Sequence, residues 1–302
     1  MTELYDIFTP KGKVDVIIDT DLYNEVDDYY AIAMLFGHKE RFNIKGVTVA
    51  PFFNKRVDSV AQSIKKSSAA LDELLLLMDE ASFHHVYHGG DSFLPDEHTP
   101  VPSEAADFMV ECSKAYSEDN RLYIIAIGAI TTVASAILKD PTIVNRIAVV
   151  WLGGNAEHIP ENKEFNLIQD VAAARVVMGS EVPFLQVPCM GVVSAFTTGY
   201  YELEHFIKDK NLLCDLLFER TAVVAMEECE VPTWSRVLWD VVAVGALLND
   251  DGRFMDITEK NRRLPAYETG LYEADISKKM LCVEKVHRDE LLYDLFCTLQ
   301  KY

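Results

Sequence analysis

The sequence is short of positive charge: 28 Lys and Arg stand against 48 Asp and Glu in 302 residues, a formal charge of −20. A nucleic-acid-binding face needs clustered cations to displace counterions, so the charge argues against that class and no nucleic-acid partner is expected. Long-range steering of anionic substrates is disfavoured, and neutral or cationic ligands, metal ions included, are favoured. Cys-x-x-Cys pairs are missing too. Cys112, Cys189, Cys214, Cys229, Cys282 and Cys297 are far apart in mostly apolar surroundings, which reads as buried structural thiols in a reducing cytoplasm. No apolar stretch of signal-peptide length lies within Met1 to Lys13, so export is not expected. The longest apolar run, Leu122 to Leu138, is broken by Gly128, Thr131, Thr132 and Ser135 and is too short for a membrane span, so no membrane partner is expected. No Pro/Gly/Ser-rich linker, repeat or low-complexity tract divides the chain, which predicts a single domain over residues 1–302. At 49% apolar and 25% charged, the composition is that of a globular protein with a large core, not of a disordered one.

What is present is an alternation. Val14 to Asp19, Ile44 to Val49, Leu122 to Ile127, Ile147 to Leu152 and Pro183 to Val187 have the short β-branched character of strands. Asp27 to Phe36, Val57 to Met78, Ser103 to Tyr116, Thr131 to Leu138 and Asp170 to Met178 have the period and length of helices. The pattern predicts an α/β fold: a Rossmann-like, open, mostly parallel sheet with helices on both faces. A helical region from about Tyr201 to Leu248 precedes one last strand and a closing helix. In such sheets ligands bind beyond the carboxyl ends of the strands.

The first strand runs directly into Asp19-Thr20-Asp21-Leu22-Tyr23-Asn24-Glu25-Val26-Asp27-Asp28, five carboxylates in ten residues. Helix capping accounts for Asp27 or Asp28 but not for Asp19 and Asp21 at the end of a buried strand. Carboxylates about 4 Å apart repel by roughly 4 kcal/mol at an effective dielectric near 20, so the cluster needs protons or a cation. Oxygen-only ligands point to Ca²⁺ or Mg²⁺ rather than Zn²⁺. The His-rich stretch Phe83-His84-His85-Val86-Tyr87-His88-Gly89-Gly90 reads instead as a strand ending in a turn, without a metal.

The acidic segment resembles the Asp-x-Asp-Pro-Gly-x-Asp-Asp signature of the inosine-uridine-preferring nucleoside hydrolases, with Leu22-Tyr23-Asn24-Glu25-Val26 in place of Pro-Gly-x, the form of a divergent branch. Three further blocks are similar to that family in the same order. They are Gly128-Ala129-Ile130-Thr131-Thr132-Val133-Ala134; Trp151-Leu152-Gly153-Gly154 with Glu164-Phe165-Asn166 and Asp170-Val171-Ala172-Ala173-Ala174; and Trp239-Asp240-Val241-Val242-Ala243-Val244. The resemblance spans about Val14 to Leu248.

It implies Ca²⁺-dependent hydrolysis of the N-glycosidic bond of ribonucleosides, a nitrogen analogue of glycoside hydrolysis. Asp21, Asp28, the Thr131 carbonyl and Asp240 would hold the metal, and Asp21 would be the catalytic base. Asp27, Asn54, His158, Glu164, Asn166 and Trp239 would bind substrate. His158 stands where better-known members have an Asn on the 5′ side of the ribose. Trp239 stands where pyrimidine-cleaving members have a His general acid, which implies a purine preference through stacking. The family also implies a homodimer or homotetramer. Two other readings of the same residues are a Mg²⁺-dependent phosphohydrolase with Asp19 or Asp21 as nucleophile and Thr131 as its small polar residue, and a non-catalytic calcium and ribose binder.

Overall fold

The computed structural model describes residues 3–229, 231 and 233–302. After a short helix α1 (Glu3–Phe8), strands and helices alternate: β1 (Val14–Thr20), α2 (Asp27–Gly37), β2 (Phe42–Val49), α3 (Val60–Leu77), β3 (Val86–His88), α4 (Glu104–Ser113), β4 (Leu122–Ala126), α5 (Thr131–Lys139) and β5 (Ile147–Leu152). Two helices, α6 (Phe165–Gln169) and α7 (Val171–Gly179), precede β6 (Phe184–Val187). The remainder holds β7 (Thr197–Gly199), α8 (Tyr200–Phe206), α9 (Leu212–Glu228), β8 (Ser235–Val237), α10 (Val241–Ala246), β9 (Met255–Pro265), β10 (Tyr272–Val286) and α11 (Arg288–Leu299).

Eight strands form one sheet in the order β3-β2-β1-β4-β5-β6-β10-β9. All neighbours are parallel except β9 and β10. Every residue of β4 and β5 is buried, as continuous apolar strands require when helices cover both faces. Alternate residues feed two cores: Ile18, Ile125, Val150 and Leu185 pack with α2, α10 and α11, whereas Ile17, Ile124, Val149 and Phe184 pack with α4, α5 and α7.

The C-terminal third departs from expectation. The helical region is there, but β7 and β8 pair within it as a separate small sheet, and the expected single last strand is a long antiparallel hairpin, β9 and β10. The reason is edge chemistry. β9 (MDITEKNRRLP) carries the outer edge, where charged residues such as Asp256, Glu259 and Lys260 guard against further pairing and erase the apolar run by which a strand is recognised.

His38 joins α2 to α11. Its Nε2 lies 2.9 Å from Asp294 Oδ2 and its Nδ1 3.0 Å from Glu40 Oε1. Burial alone lowers the imidazole pKa, but the hydrogen bond and charge of Asp294, followed by those of Glu40, outweigh it and the net shift is upward. A raised folded-state pKa means that the added stability is full below the unfolded value of about 6.5 and is lost as pH rises through the folded value. A charged hydrogen bond of this kind is worth about 1–2 kcal/mol, or a few degrees in a chain of this size. Differential scanning calorimetry of His38→Gln should therefore show its largest deficit against wild type near pH 6 and a smaller one near pH 9; a deficit independent of pH would refute the ion pair.

Candidate active site

The strand order reverses beside β1: β2 and β3 lie to one side, β4 to β6 to the other. Crevices at the carboxyl ends of strands form at such reversals. A cleft of about 330 Å³ opens here. β1 leads into Asp21, Asn24 and Glu25, the first turn of α2 adds Asp27 and Asp28, and the loop after β2 adds Asn54. Ile127 follows β4, Asn155 follows β5, Cys189 and Met190 follow β6, and Trp239 and Asp240 precede α10.

Asp21, Asp27, Asp28 and Asp240 are at most 3% exposed. Asp27, Asp28 and Asp240 each bring a carboxylate oxygen within 4.8 Å of the others, a group that could hold a metal ion. Asp21 is outside that trio but next to it: its Oδ2 is buried without a hydrogen-bond partner, and its charge acts on Asp240. A like-charged pair at such distances costs about 3 kcal/mol or more at an effective dielectric near 20. Burial, followed by the charges of Asp28, Asp27 and Glu25, holds Asp21 well above the usual carboxylate range. Burial also raises Asp27, with Glu25 and Asp28 adding to it and Arg236 pulling the other way. Asp28 is pushed up to about 6 by burial, against hydrogen bonds from Thr20 and Asp240. Asp240 is raised well above its ordinary value by burial and by Asp27, Asp28 and Asp21. Two carboxyls can share a hydrogen bond only if one keeps its proton, so without a cation this cluster is stable only when partly protonated. The all-oxygen donor set and the orphaned Asp21 Oδ2 fit a hard divalent cation. Capping does not explain the pair at the start of α2, whose N-cap is Val26 with no side-chain cap bond.

The opposite wall is set by short-range bonds. Glu164 Oε1 accepts from the Asn166 amide at 2.8 Å, while its Oε2 accepts from Gly154 at 2.8 Å and from Leu167 at 2.9 Å. The carboxylate thus caps α6 and faces the cleft at once, and burial raises its pKa despite those donors. The Asn166 side-chain amide donates to the carbonyls of Leu152 (3.0 Å) and Ile127 (3.2 Å). Gly154 has φ +71°, and a Cβ there would meet the Tyr272 hydroxyl at 2.2 Å, so glycine is required where this wall turns. Asn54 faces the cleft and donates to Asn24 Oδ1 at 2.7 Å.

The cleft brings together Asp21, Asp27, Asp28, Asn54, Glu164, Asn166, Trp239 and Asp240. Thr131 and His158 are not among its lining residues. The Thr131 hydroxyl donates to Asp170 Oδ2 at 2.7 Å, and Asp170 itself caps α7. His158 is exposed beside Gly191. The His84, His85 and His88 side chains are likewise outside the cleft, on and before the strand β3 that the Gly pair predicts. Sequence reasoning missed Ile127, Asn155, Lys163, Cys189 and Met190 in the lining, although several sit one to three residues past the ends of β4, β5 and β6, where the strand-end rule points. It also left Asn24 and Glu25 without a role.

The model of the family described as inosine-uridine preferring nucleoside hydrolase matches residues 16–285. The fold is similar to that of a plant nucleoside hydrolase, at 17% identity and TM-score 0.77 over 96% of this chain and 99% of that one. It is equally similar to a purine-preferring ribonucleoside hydrolase from Gardnerella vaginalis, at 19% identity and TM-score 0.77 over 95% of this chain and 98% of that one. An inosine-guanosine nucleoside hydrolase is also similar, at 17% identity and TM-score 0.75 over 95% and 98%. With a family match across nearly the whole sheet, the chain belongs to the inosine-uridine preferring nucleoside hydrolases, enzymes that act on N-glycosyl compounds.

Proposed function

We propose that the cleft hydrolyses the N-glycosidic bond of ribonucleosides to free base and ribose, that it does so with Ca²⁺, and that it prefers purine ribosides. The observation that carries this is the convergence of buried carboxylates from three places, Asp21 after β1, Asp28 on α2 and Asp240 before α10, beside a wall of Asn and Glu. These carboxylates would hold the cation. For the backbone donor we assign Ile127 in place of Thr131, since Ile127 lines the cleft at the end of β4. Held by these residues, the cation would supply a site that orients a water and lowers its pKa.

The remaining steps belong to the chain's own groups. The unpartnered Oδ2 makes Asp21 the general base, accepting a proton as the water oxygen bonds to the anomeric carbon; the electron pair of the broken N-glycosidic bond leaves with the base, which takes up a proton from solvent. The sugar becomes oxocarbenium-like, and the surrounding carboxylates stabilise that positive charge. Asp27, Asn54, Glu164 and Asn166 suit ribose hydroxyls. Asp19 cannot act as the nucleophile of a phosphohydrolase: it is fully buried, accepts from Thr48 at 2.6 Å and does not line the cleft. Incubation with Ca²⁺ and inosine or p-nitrophenyl ribofuranoside should release base or nitrophenol. Release from p-nitrophenyl phosphate alone, or a nucleoside-dependent rise in Tm with no release, would overturn the proposal.

Trp239 is half-buried in the cleft and is the aromatic residue placed next to Asp240. Its indole is not a useful acid, so its contribution is stacking, worth about 1 kcal/mol in ground-state contacts. Trp239→Ala should lower kcat/KM for inosine by roughly fivefold and for p-nitrophenyl riboside by less; equal losses would show that it only packs. The proposal extends to a cytoplasmic homodimer or homotetramer, which sedimentation velocity would check.

A further inference from the structure

The segment that departs from the family signature, Asn24-Glu25, reaches both walls of the cleft. Asn24 receives the Asn54 amide from the loop after β2. Glu25 receives Arg236 Nη2, which comes from β8 on the other wall. Arg236 is 7% exposed and stands three residues before Trp239 and four before Asp240. The backbone amide of Asp240 lies 3.4 Å from Asp27 Oδ2, so the two segments meet again two residues beyond Glu25.

We infer that Glu25 and Arg236 are a positioning pair, which fixes the Trp239-Asp240 segment against the acidic loop and so completes the cation site and the base-facing wall. Asp240 and Trp239 arrive on a short connection between β8 and α10, and α10 begins at Val241 with no side-chain cap from Asp240. Nothing in that local turn dictates where the Asp240 carboxylate points. Repulsion from Asp21, Asp27 and Asp28 pushes the segment outward, and the buried guanidinium held by Glu25 opposes it. Guanidinium suits this place because it stays charged and offers several donors in a fixed plane. Glu25 lines the cleft, and its carboxylate accepts from Arg236 of β8. Arg236 is not among the lining residues and acts through Trp239 and Asp240, and Glu25 acts on them through Arg236.

This inference deepens the proposed function and rests on it for the cation, so the test includes a readout that needs no cation. The chain has three tryptophans; Trp151 and Trp234 are buried and Trp239 is half-buried, so acrylamide quenching in metal-free protein reports mainly on Trp239. Glu25→Gln, Arg236→Lys, Arg236→Gln and the double variant Glu25→Gln/Arg236→Gln are compared with wild type by quenching, by calorimetric Ca²⁺ titration and by riboside kinetics. Arg236 is buried and Glu25 about a third exposed, so losing either partner should loosen the segment, and each Gln single variant should quench faster and bind Ca²⁺ several-fold more weakly. The double variant should be no worse than the poorer single one, and Arg236→Lys should recover part of the loss. Wild-type quenching in Glu25→Gln and Arg236→Gln, or additive losses in the double variant, would overturn the pairing. Wild-type protein that neither binds Ca²⁺ nor releases base would overturn the proposed function instead, and the quenching comparison would still decide the pair.

Discussion

Asp21→Asn should abolish turnover of ribonucleosides, a loss of at least about 10³-fold in kcat, while raising the Tm of the metal-free protein by a few degrees. The two effects have one source. Asp21 is packed so tightly under the turn after β4 that a Cβ on Gly128 would stand 3.2 Å from its Cγ, and its Oδ2 has no partner. A side chain held there gains nothing for the fold of the empty protein; it is buried among Asp27, Asp28 and Glu25, whose charges oppose its own. Replacing the carboxylate with its neutral isostere keeps the shape and removes the repulsion from its acidic neighbours. The catalytic loss follows from removing the base and one cation ligand together, and general-base deletions alone cost about 10²–10⁴. Stopped-time assays with inosine and differential scanning calorimetry in chelator measure both. Retained turnover would remove Asp21 from its role, and a large fall in metal-free Tm would show that the carboxylate is structural.

Metal removal should have a comparably large effect. Protein stripped with a chelator should lose riboside hydrolysis to background, and millimolar Ca²⁺ should restore it. Because the unfolded chain does not bring Asp240 to Asp21 and Asp28, which lie far earlier in the sequence, Ca²⁺ should bind essentially the folded state alone. At 100 times its Kd the ion then adds about 2.7 kcal/mol, which at roughly 2 °C per kcal/mol is a Tm rise of about 5 °C. Part of that rise comes from discharging the repulsion inside the cluster, so Asp21→Asn should show a smaller one. A chelated enzyme as active and as heat-stable as the Ca²⁺-loaded one would remove the cation from the account.

The parts of the molecule that were legible in the sequence are those that one physical requirement determines. β4 and β5 had to be continuous apolar runs because both faces are covered, and their ends fall within a residue of expectation. The acids after β1 were legible because no buried strand end keeps unpaired carboxylates without reason. β9 was not legible, since an edge strand satisfies solvent on one side and its charges hide its period. Thr131 and His158 show a different limit. A motif gives the turn but not the direction in which each group faces. Thr131 turns its hydroxyl to Asp170, and the residue of that turn that lines the cleft is Ile127, four residues earlier. Asn155 was missed because its side chain is occupied within the loop, accepting from Met190 N at 3.0 Å and donating to the Glu161 carbonyl at 2.9 Å, so it shapes the wall by anchoring it.

The Asn166 amide has a consequence for what the cleft admits. Its two N–H hydrogens are both committed, one to the end of each of two neighbouring strands, so toward a guest the residue offers lone pairs alone. Any sugar seated against it must bring its own proton. A methyl ether at the contacting position would put two acceptors face to face, and the methylated compound should be refused even where its bulk is tolerated.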